Sequence, residues 1–522
     1  MMVTHDLSVD PSTTSLNQEE QRATLRELRS QLIKYYRPLL QDGPGPIRIM
    51  ARIVTELEKA CRQHNISEEV IISEIVNRTI GDINVRLITE CEDEPGGSRD
   101  YRLLADELGV ALPGEKLASG YTASGSTYLW LREQMLECER LLLQQGFDLR
   151  IYDIYGIGNP VLRSWLANEM ATLWNLPVTY EHILPSLGAM DGIDKTLRGL
   201  TLHFQQHSTE GIGILFPEPG FGVPEWQART YGYTLHRFQT AEEHHFKLTG
   251  SQFDALLQEH EDIRVVYLTI SNNPTAFSFT AAELRSLYDV LRRYWQDGRE
   301  ILVLADLAYI GTSQPKLDQE RMSAFQGADI LQHTLFVSSL SKTCTLTGER
   351  FGWVTCANPA IANTIAASWT NGMASLPGEW QLRFMAYYRL LQERPWLMEN
   401  LRAFYRMRRQ RFIEQLRQIN TQQPLFAEIY VDDDTTVYNW SKLAPGEDAF
   451  SLFEKTGIAG VPGSGFGYTD AYIRFSIGFL PVPSTDSINS TNSTASTGST
   501  GSKDASTSDA TLNNVSTPNI PT

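Results

Sequence analysis

Three apolar runs that each break off at polar residues constrain this chain more than any other feature. Residues 265–275 read Val-Val-Tyr-Leu-Thr-Ile-Ser-Asn-Asn273-Pro274-Thr275. Residues 301–309 read Ile-Leu-Val-Leu-Ala-Asp306-Leu-Ala-Tyr309, and Phe336-Val337 leads into Ser338-Ser339-Leu340-Ser341-Lys342. Runs this short and apolar predict buried strands of an α/β sheet. Ligands of open α/β sheets bind at the carboxyl ends of strands, so Asn273, Asp306 and Lys342 are expected around one crevice.

The residue types at those ends suggest a chemistry. Lys342 lies between the apolar runs Phe336-Val337 and Gly352-Trp353-Val354, ringed by hydroxyls and followed eight positions later by Arg350. A lysine kept out of water is a nucleophile toward aldehydes. Serines with one arginine are what a phosphate monoester needs. Together they point to a phosphorylated aldehyde, pyridoxal phosphate. Asp306 can keep a pyridine nitrogen protonated, which makes the ring an electron sink. Tyr309 and Asn273 can share the charge of the ring oxygen O3′. A surface lysine, a turn aspartate and a core tyrosine are the plain alternatives, and each explains one residue but not the set.

The order of these motifs resembles the class I/II aminotransferases, fold type I enzymes that use pyridoxal phosphate. The family's Asn-Pro-Thr-Gly stands here as Asn273-Pro274-Thr275-Ala276, with alanine in place of the usual glycine. Its Asp-x-x-Tyr stands as Asp306 to Tyr309, and its Ser-x-x-Lys with a following arginine as Ser339, Lys342 and Arg350. Gly158-Asn159-Pro160-Val161-Leu162-Arg163, Pro462-Gly463-Ser464-Gly465-Phe466-Gly467 and Arg474-Phe475-Ser476 are similar to three further motifs. The resemblance covers about 150–480. It implies a large domain with a mostly parallel sheet flanked by helices, a smaller C-terminal α/β domain and, here, a helical N-terminal extension.

The resemblance also implies roles. Lys342 would carry the cofactor as an aldimine and move the proton between Cα and C4′. Asp306 would face the pyridine nitrogen, and Tyr309 and Asn273 would bind O3′. Ser186-Leu187-Gly188-Ala189-Met190 opens a helix after a short strand. Its backbone N–H groups suit a phosphate dianion, so Ala189, Met190, Ser339, Ser341 and Arg350 are the candidate phosphate ligands. Phe221 in Glu218-Pro219-Gly220-Phe221 would stack on the ring. Arg474 would hold the substrate α-carboxylate through paired hydrogen bonds, beside Asn273. A partner subunit's tyrosine, Tyr152 or Tyr155, would reach the phosphate of a homodimer.

The resulting expectation is an aminotransferase of amino acid metabolism or biosynthesis, moving an amino group from an L-amino acid to a 2-oxo acid by a ping-pong route. A decarboxylase or lyase of the same fold uses the same residues. An aminotransferase-like regulatory domain is a third possibility, but the acidic run Glu90-Cys91-Glu92-Asp93-Glu94 does not suit DNA. The net charge of −17 argues against nucleic acid or an anionic membrane as partner. No signal-like apolar segment opens the chain, and no apolar run has the length of a membrane span. The five cysteines form no Cys-x-x-Cys, which suits reduced thiols in a cytoplasmic protein. No metal is expected, and His244-His245 reads as surface.

Five parts are expected along the 522 residues. Residues 1–112 form a helical extension; Asn17 and Glu20 could start its first helix, with Leu25, Leu28, Leu32 and Tyr36 on one face. Those apolar faces need a partner surface, either the catalytic domain or a second subunit. Residues 113–150 connect as part of the small domain, 151–356 form the cofactor-binding large domain, and 357–480 form the C-terminal small domain. Residues 481–522 are rich in Ser, Thr, Asn and Gly and are expected to be a disordered tail. Between 357 and 382 there is no Lys or Arg but Trp369, Met373 and Trp380, which suggests an apolar or aromatic amino donor.

Overall fold

A computed structural model of the chain describes residues 17–40, 45–79, 126–153, 156–207, 211–344, 346–431 and 437–477. The expectations for the tail 481–522, for Cys91 and for Tyr155 lie outside the described residues.

Thirteen strands are described. A short β1 (Val76–Asn77) precedes β2 (Ile183–Leu187), β3 (Gly213–Glu218), β4 (Thr234–Gln239), β5 (Ile263–Thr269), β6 (Leu302–Asp306), β7 (Thr334–Ser339) and β8 (Phe351–Cys356). These are followed by β9 (Phe426–Ile429), β10 (Tyr438–Leu443), β11 (Ile458–Ala459), β12 (Val461–Pro462) and β13 (Tyr472–Ser476). The central sheet has seven strands in the order β2-β8-β7-β6-β5-β3-β4. All run parallel except β8, which is antiparallel to both neighbours. β6, β7 and β8 are buried at every residue, as expected of strands covered on both faces.

Helices cover both faces. One layer contributes Leu162, Leu166 and Met170 of the helix Pro160–Trp174 and Leu284, Leu287 and Leu291 of the helix Ala281–Gln296. The other contributes Ile193, Leu197 and Leu200 of the helix Ala189–His207 and Ile361, Ile365 and Trp369 of the helix Pro359–Met373. Thr249 and Thr280 each form a reciprocal cap with the side chain three residues on. Such caps satisfy N–H groups that a helix start leaves unpaired.

The smaller sheet is antiparallel in the order β12-β13-β10-β9. Its core includes Phe426, Leu443, Ile473 and Phe475, with Phe412 and Leu416 of the long helix Trp396–Gln422. The N-terminal helices Gln18–Tyr36, Pro46–Gln63 and Glu68–Glu74 complete this core through Leu25, Leu28, Ile53, Leu57 and Val70. Asn17 and Glu20 form the reciprocal cap of the first helix. Thus 17–40 and 45–79 form the outer layer of the small domain, and β1 pairs with β11 to fasten it.

Two boundaries read from the sequence fall differently. The helix Ser126–Gln144, expected in the small domain, packs on the helix Gly378–Glu393 and sends Met135, Cys138 and Leu142 into the large-domain core. The small domain, expected from 357, begins later. Pro359–Met373 and Gly378–Glu393 are apolar on faces that the large sheet covers, so only the second half of Trp396–Gln422 joins the smaller core. Among the described residues, no helix is long and apolar enough to cross a membrane.

Candidate active site

Strand register brings the site together. Thr269 of β5 pairs with Asp306 of β6, which pairs with Val337 of β7, so three carboxyl ends are level. Because β8 returns antiparallel, Ser339 pairs with Gly352 and Leu187 with Phe351. Arg350 therefore stands at the mouth of both β7 and β2. Here opens a cavity of about 470 Å³, within the range of small-molecule sites. Its walls include Ala189, Met190, Phe221, Asn273, Asp306, Tyr309, Ser339, Ser341, Lys342, Arg350 and Arg474. The structure gathers the eleven residues expected to hold the cofactor and the α-carboxylate.

Asp306 is buried at the end of β6. Its Oδ2 accepts a hydrogen bond from Tyr267 Oη at 2.6 Å, and its Oδ1 accepts from the Ala308 N–H at 2.9 Å. Burial pushes the carboxyl above its ordinary value, while those two donors pull it back. Burial, with Asp306 next to it, raises the Tyr267 phenol well above the ordinary range, so that phenol stays a donor. Tyr309 is also held neutral by burial, and its Oη lies 3.2 Å from Tyr438 Oη.

The turn at the start of the helix Ala189–His207 meets the arginine. Gly188 has φ of +84°, a conformation that favours glycine, and an added Cβ would lie 2.5 Å from Arg350 Nη2, so the guanidinium packs directly on this turn. Arg350 itself has φ of +60°, a conformation that costs a non-glycine residue about 1–2 kcal/mol. That backbone turns its Nη1 toward the Thr347 carbonyl at 2.8 Å and its Nη2 toward the Leu187 carbonyl at 3.4 Å. Ser339 caps the single helical turn Leu340–Thr343 that carries Lys342. Its Oγ accepts from the Ser341 N–H at 3.1 Å. Tyr405 Oη donates to the Lys342 carbonyl at 3.3 Å and steadies the same turn.

Arg474, on β13, is buried and reaches across from the smaller sheet. Its Nη1 donates to Asn273 Oδ1 at 3.2 Å, and its Nη2 donates to the Thr79 carbonyl at 2.5 Å. The guanidinium carbon stands 4.5 Å from the centre of the Tyr438 ring and 5.0 Å from that of Phe466. Burial lowers its pKa, and Tyr438 and Tyr309 offset part of that effect. Its buried Nε has no hydrogen-bond partner among the described residues.

Several members were not read from the sequence. Tyr267 had a signal, since it alternates with Thr269 along β5 and so faces the same side. Tyr438, Ile47 and Thr79 had none, because they reach the site only through the fold of the smaller domain. Ala276 adopts φ of +64° where the family has glycine, so the loop keeps its shape with alanine in a left-handed conformation. Trp369, Met373 and Trp380 do not line the cavity. Trp369 is buried under Lys195, Met373 Sδ lies 3.4 Å from Lys195 Nζ, and Trp380 packs on Phe351 and Phe384. Tyr152 is 80% exposed and takes no part in the cavity of its own chain.

The sequence pattern of the family "Aminotransferase class I and II" matches residues 157–480. The chain belongs to this family, whose members transfer amino groups with pyridoxal phosphate. The chain is 25% identical over 272 residues to the LL-diaminopimelate aminotransferase of Halothermothrix orenii, covering 50% of this chain and 64% of that protein. It is 25% identical over 188 residues to the histidinol-phosphate aminotransferase of Haloarcula marismortui, covering 36% of this chain and 46% of that one. Thus the chain spans roughly half to two thirds of the length of these two relatives. In fold it is similar to the aspartate aminotransferase of Thermus thermophilus with maleate, at a TM-score of 0.59 and 18% identity over 85% of this chain and 95% of that one.

The residues present fit the cofactor. A buried carboxyl in the cavity wall could offset a pyridinium, and a guanidinium packs against a glycine beside a helix start. A lysine lies in the same walls, and a buried guanidinium nitrogen still lacks an acceptor among the described residues.

Proposed function

We propose that the chain is a pyridoxal phosphate-dependent aminotransferase that moves an amino group from an L-amino acid to a 2-oxo acid. The observation that carries this reading is the convergence of Lys342, Asp306, Asn273, Arg350 and Arg474 on one cavity. When bound, the cofactor supplies an aldehyde for the amino group and a protonated ring that withdraws electrons.

The chain's own residues do the rest. Lys342 would hold the cofactor through its aldehyde, and its Nζ would serve as the base that moves the substrate's Cα proton. Asp306 holds the proton on the ring nitrogen. Tyr309 and Asn273 would orient the ring, and Phe221 would pack against it. Arg350, Ser339, Ser341 and the backbone at Ala189 and Met190 anchor the phosphate. Arg474 fixes the α-carboxylate, with Asn273 aligning its guanidinium.

A homodimer is part of this reading. Ile151 and Tyr152 are 83% and 80% exposed, the highest among the described large apolar side chains, and such side chains suit a subunit interface. Four described cysteines are buried free thiols, which supports a reducing, cytoplasmic setting.

The test is direct. Purified protein loaded with pyridoxal phosphate is offered a panel of L-amino acids with several 2-oxo acids, and product amino acids are quantified. Amino transfer that disappears in Lys342→Ala is expected. Release of carbon dioxide or ammonia without amino transfer would favour a decarboxylase or lyase instead.

A further inference from the structure

At the opposite end of the sheet from the cavity, three ligand-bearing side chains converge. His236 lies on the edge strand β4, His260 ends the helix Gly250–Glu259, and Asp262 stands in the turn that enters β5. Their nitrogen and oxygen ligand atoms all lie within 4.8 Å of one another. His236 Nε2 is 2.9 Å from Asp262 Oδ2, and the two imidazole rings stand 4.2 Å apart, tilted by 31°. No sequence spacing marks this group, because the fold alone brings β4 beside the turn.

The surrounding backbone is shaped to hold them. An added Cβ at Gly213 would lie 2.7 Å from Asp262 Oδ2, so glycine leaves the space that the carboxylate fills. The Gly213 N–H donates to the Asp262 carbonyl at 2.8 Å. Arg299 donates to the carbonyls of Leu257 at 2.6 Å, His260 at 2.7 Å and Ile263 at 3.3 Å. One guanidinium thus pins the loop that carries two of the three side chains. All three side-chain positions are half-buried, which shields an ion while leaving it a path to solvent.

We propose that His236, His260 and Asp262 form a binding site for a divalent transition metal of the zinc class. Two imidazoles and one carboxylate suit Zn²⁺, whereas Mg²⁺ and Ca²⁺ take oxygen ligands. Bond lengths of about 2.0–2.2 Å require the three ligand atoms to draw together by side-chain rotation. The proton now joining His236 Nε2 to Asp262 leaves that nitrogen, either for Nδ1 or for solvent, and no other bond breaks. Glu259 Oε1, 3.9 Å from His260 Nε2, or a water completes a tetrahedron. An ion here ties β4 to the helix end and to the start of β5. Among the described residues β4 is the edge strand, the part of a sheet most exposed to fraying or wrong pairing. The ion's effect is therefore on stability rather than turnover.

The experiment uses the full-length holoenzyme, stripped with a chelator, exposed to zinc chloride and dialysed. Zinc content is read by mass spectrometry and the thermal midpoint is followed. One tightly held zinc per chain and a midpoint raised by zinc are expected. Both should be lost in His260→Ala and in Asp262→Asn, with cofactor absorbance retained. Cobalt in place of zinc should give visible bands that the two variants lack. Zinc retention equal in the parent and both variants, or no retention by the parent, would overturn the proposal.

Discussion

Tyr267→Phe tests how the site keeps a buried carboxylate charged. The substitution removes one oxygen and leaves a ring that still packs on Phe216, 5.6 Å away between ring centres. Asp306 then loses the 2.6 Å donor on Oδ2 and keeps only the Ala308 N–H on Oδ1. Hydrogen bonds to charged groups contribute about 1.5–3 kcal/mol, which corresponds to roughly tenfold to a hundredfold in an equilibrium constant. Burial already raises the Asp306 carboxyl, and losing a donor raises it further. A protonated Asp306 cannot offset a pyridinium, so affinity for pyridoxal phosphate should fall by about tenfold or more. The deficit should be largest at low pH, where the unsupported carboxyl takes up a proton, and should shrink as pH rises. Titration of the apoprotein with cofactor, followed by absorbance at several pH values, measures this. An affinity within twofold of the parent and an unchanged pH profile would rule out this role for Tyr267.

Other expectations follow from the same geometry. Lys342→Ala should bind pyridoxal phosphate without any link that borohydride fixes, which mass spectrometry of the treated chain checks. Arg474→Lys should raise KM for the amino donor about tenfold or more, since the lost paired contact contributes on the order of 1.5–3 kcal/mol. Leu57→Ala should destabilise the protein by about 2–5 kcal/mol, because Leu57 is fully buried between the N-terminal helices and the smaller sheet. Denaturant unfolding measures that loss, and a soluble, fully active protein lacking residues 1–79 would contradict its basis. Glu169 is raised by burial from 4.5 to about 7, so the folded chain binds a proton there that the unfolded chain has released. Its stabilising share is present below about pH 4.5 and is lost as pH rises through 7, at most about 3 kcal/mol. Glu169→Gln should flatten stability across that window, and an identical slope of thermal midpoint against pH would count against it.

The chemistry was legible because it sits where the strands end. Asn273, Asp306 and Lys342 follow apolar runs that can only be strands, and the strand order β5-β6-β7 makes their ends neighbours. What was not legible depends on which surfaces meet. Nothing in the pattern of Leu25, Leu28 and Leu32 says that the N-terminal helices cover the smaller sheet rather than a second subunit. Ile47 and Thr79 could not be seen as site residues without that knowledge. The reading of Trp369, Met373 and Trp380 as substrate surface failed for a related reason. Large apolar side chains on a helix serve a core or a ligand equally well, and here the large domain's interior takes Trp369 and Trp380, while Met373 lies half-buried against Lys195.

Arg474 shows what the extension adds to the site. Its guanidinium joins three parts of the fold: Asn273 at the end of β5, Tyr438 at the start of β10, and the Thr79 carbonyl of the N-terminal layer. The backbone at Arg78 is itself fixed, because its carbonyl accepts from the Ser476 N–H at 2.7 Å and its N–H donates to Ala459. A buried arginine without acceptors is costly, and the Thr79 carbonyl is one of the acceptors that meets this need. An α-carboxylate binding here must either share Nη2 with that carbonyl or displace it, while Nε offers a further donor. The Thr79 carbonyl, which closes the N-terminal layer, and Asn273, which follows β5, thus meet on one guanidinium that residues far apart in sequence hold in place.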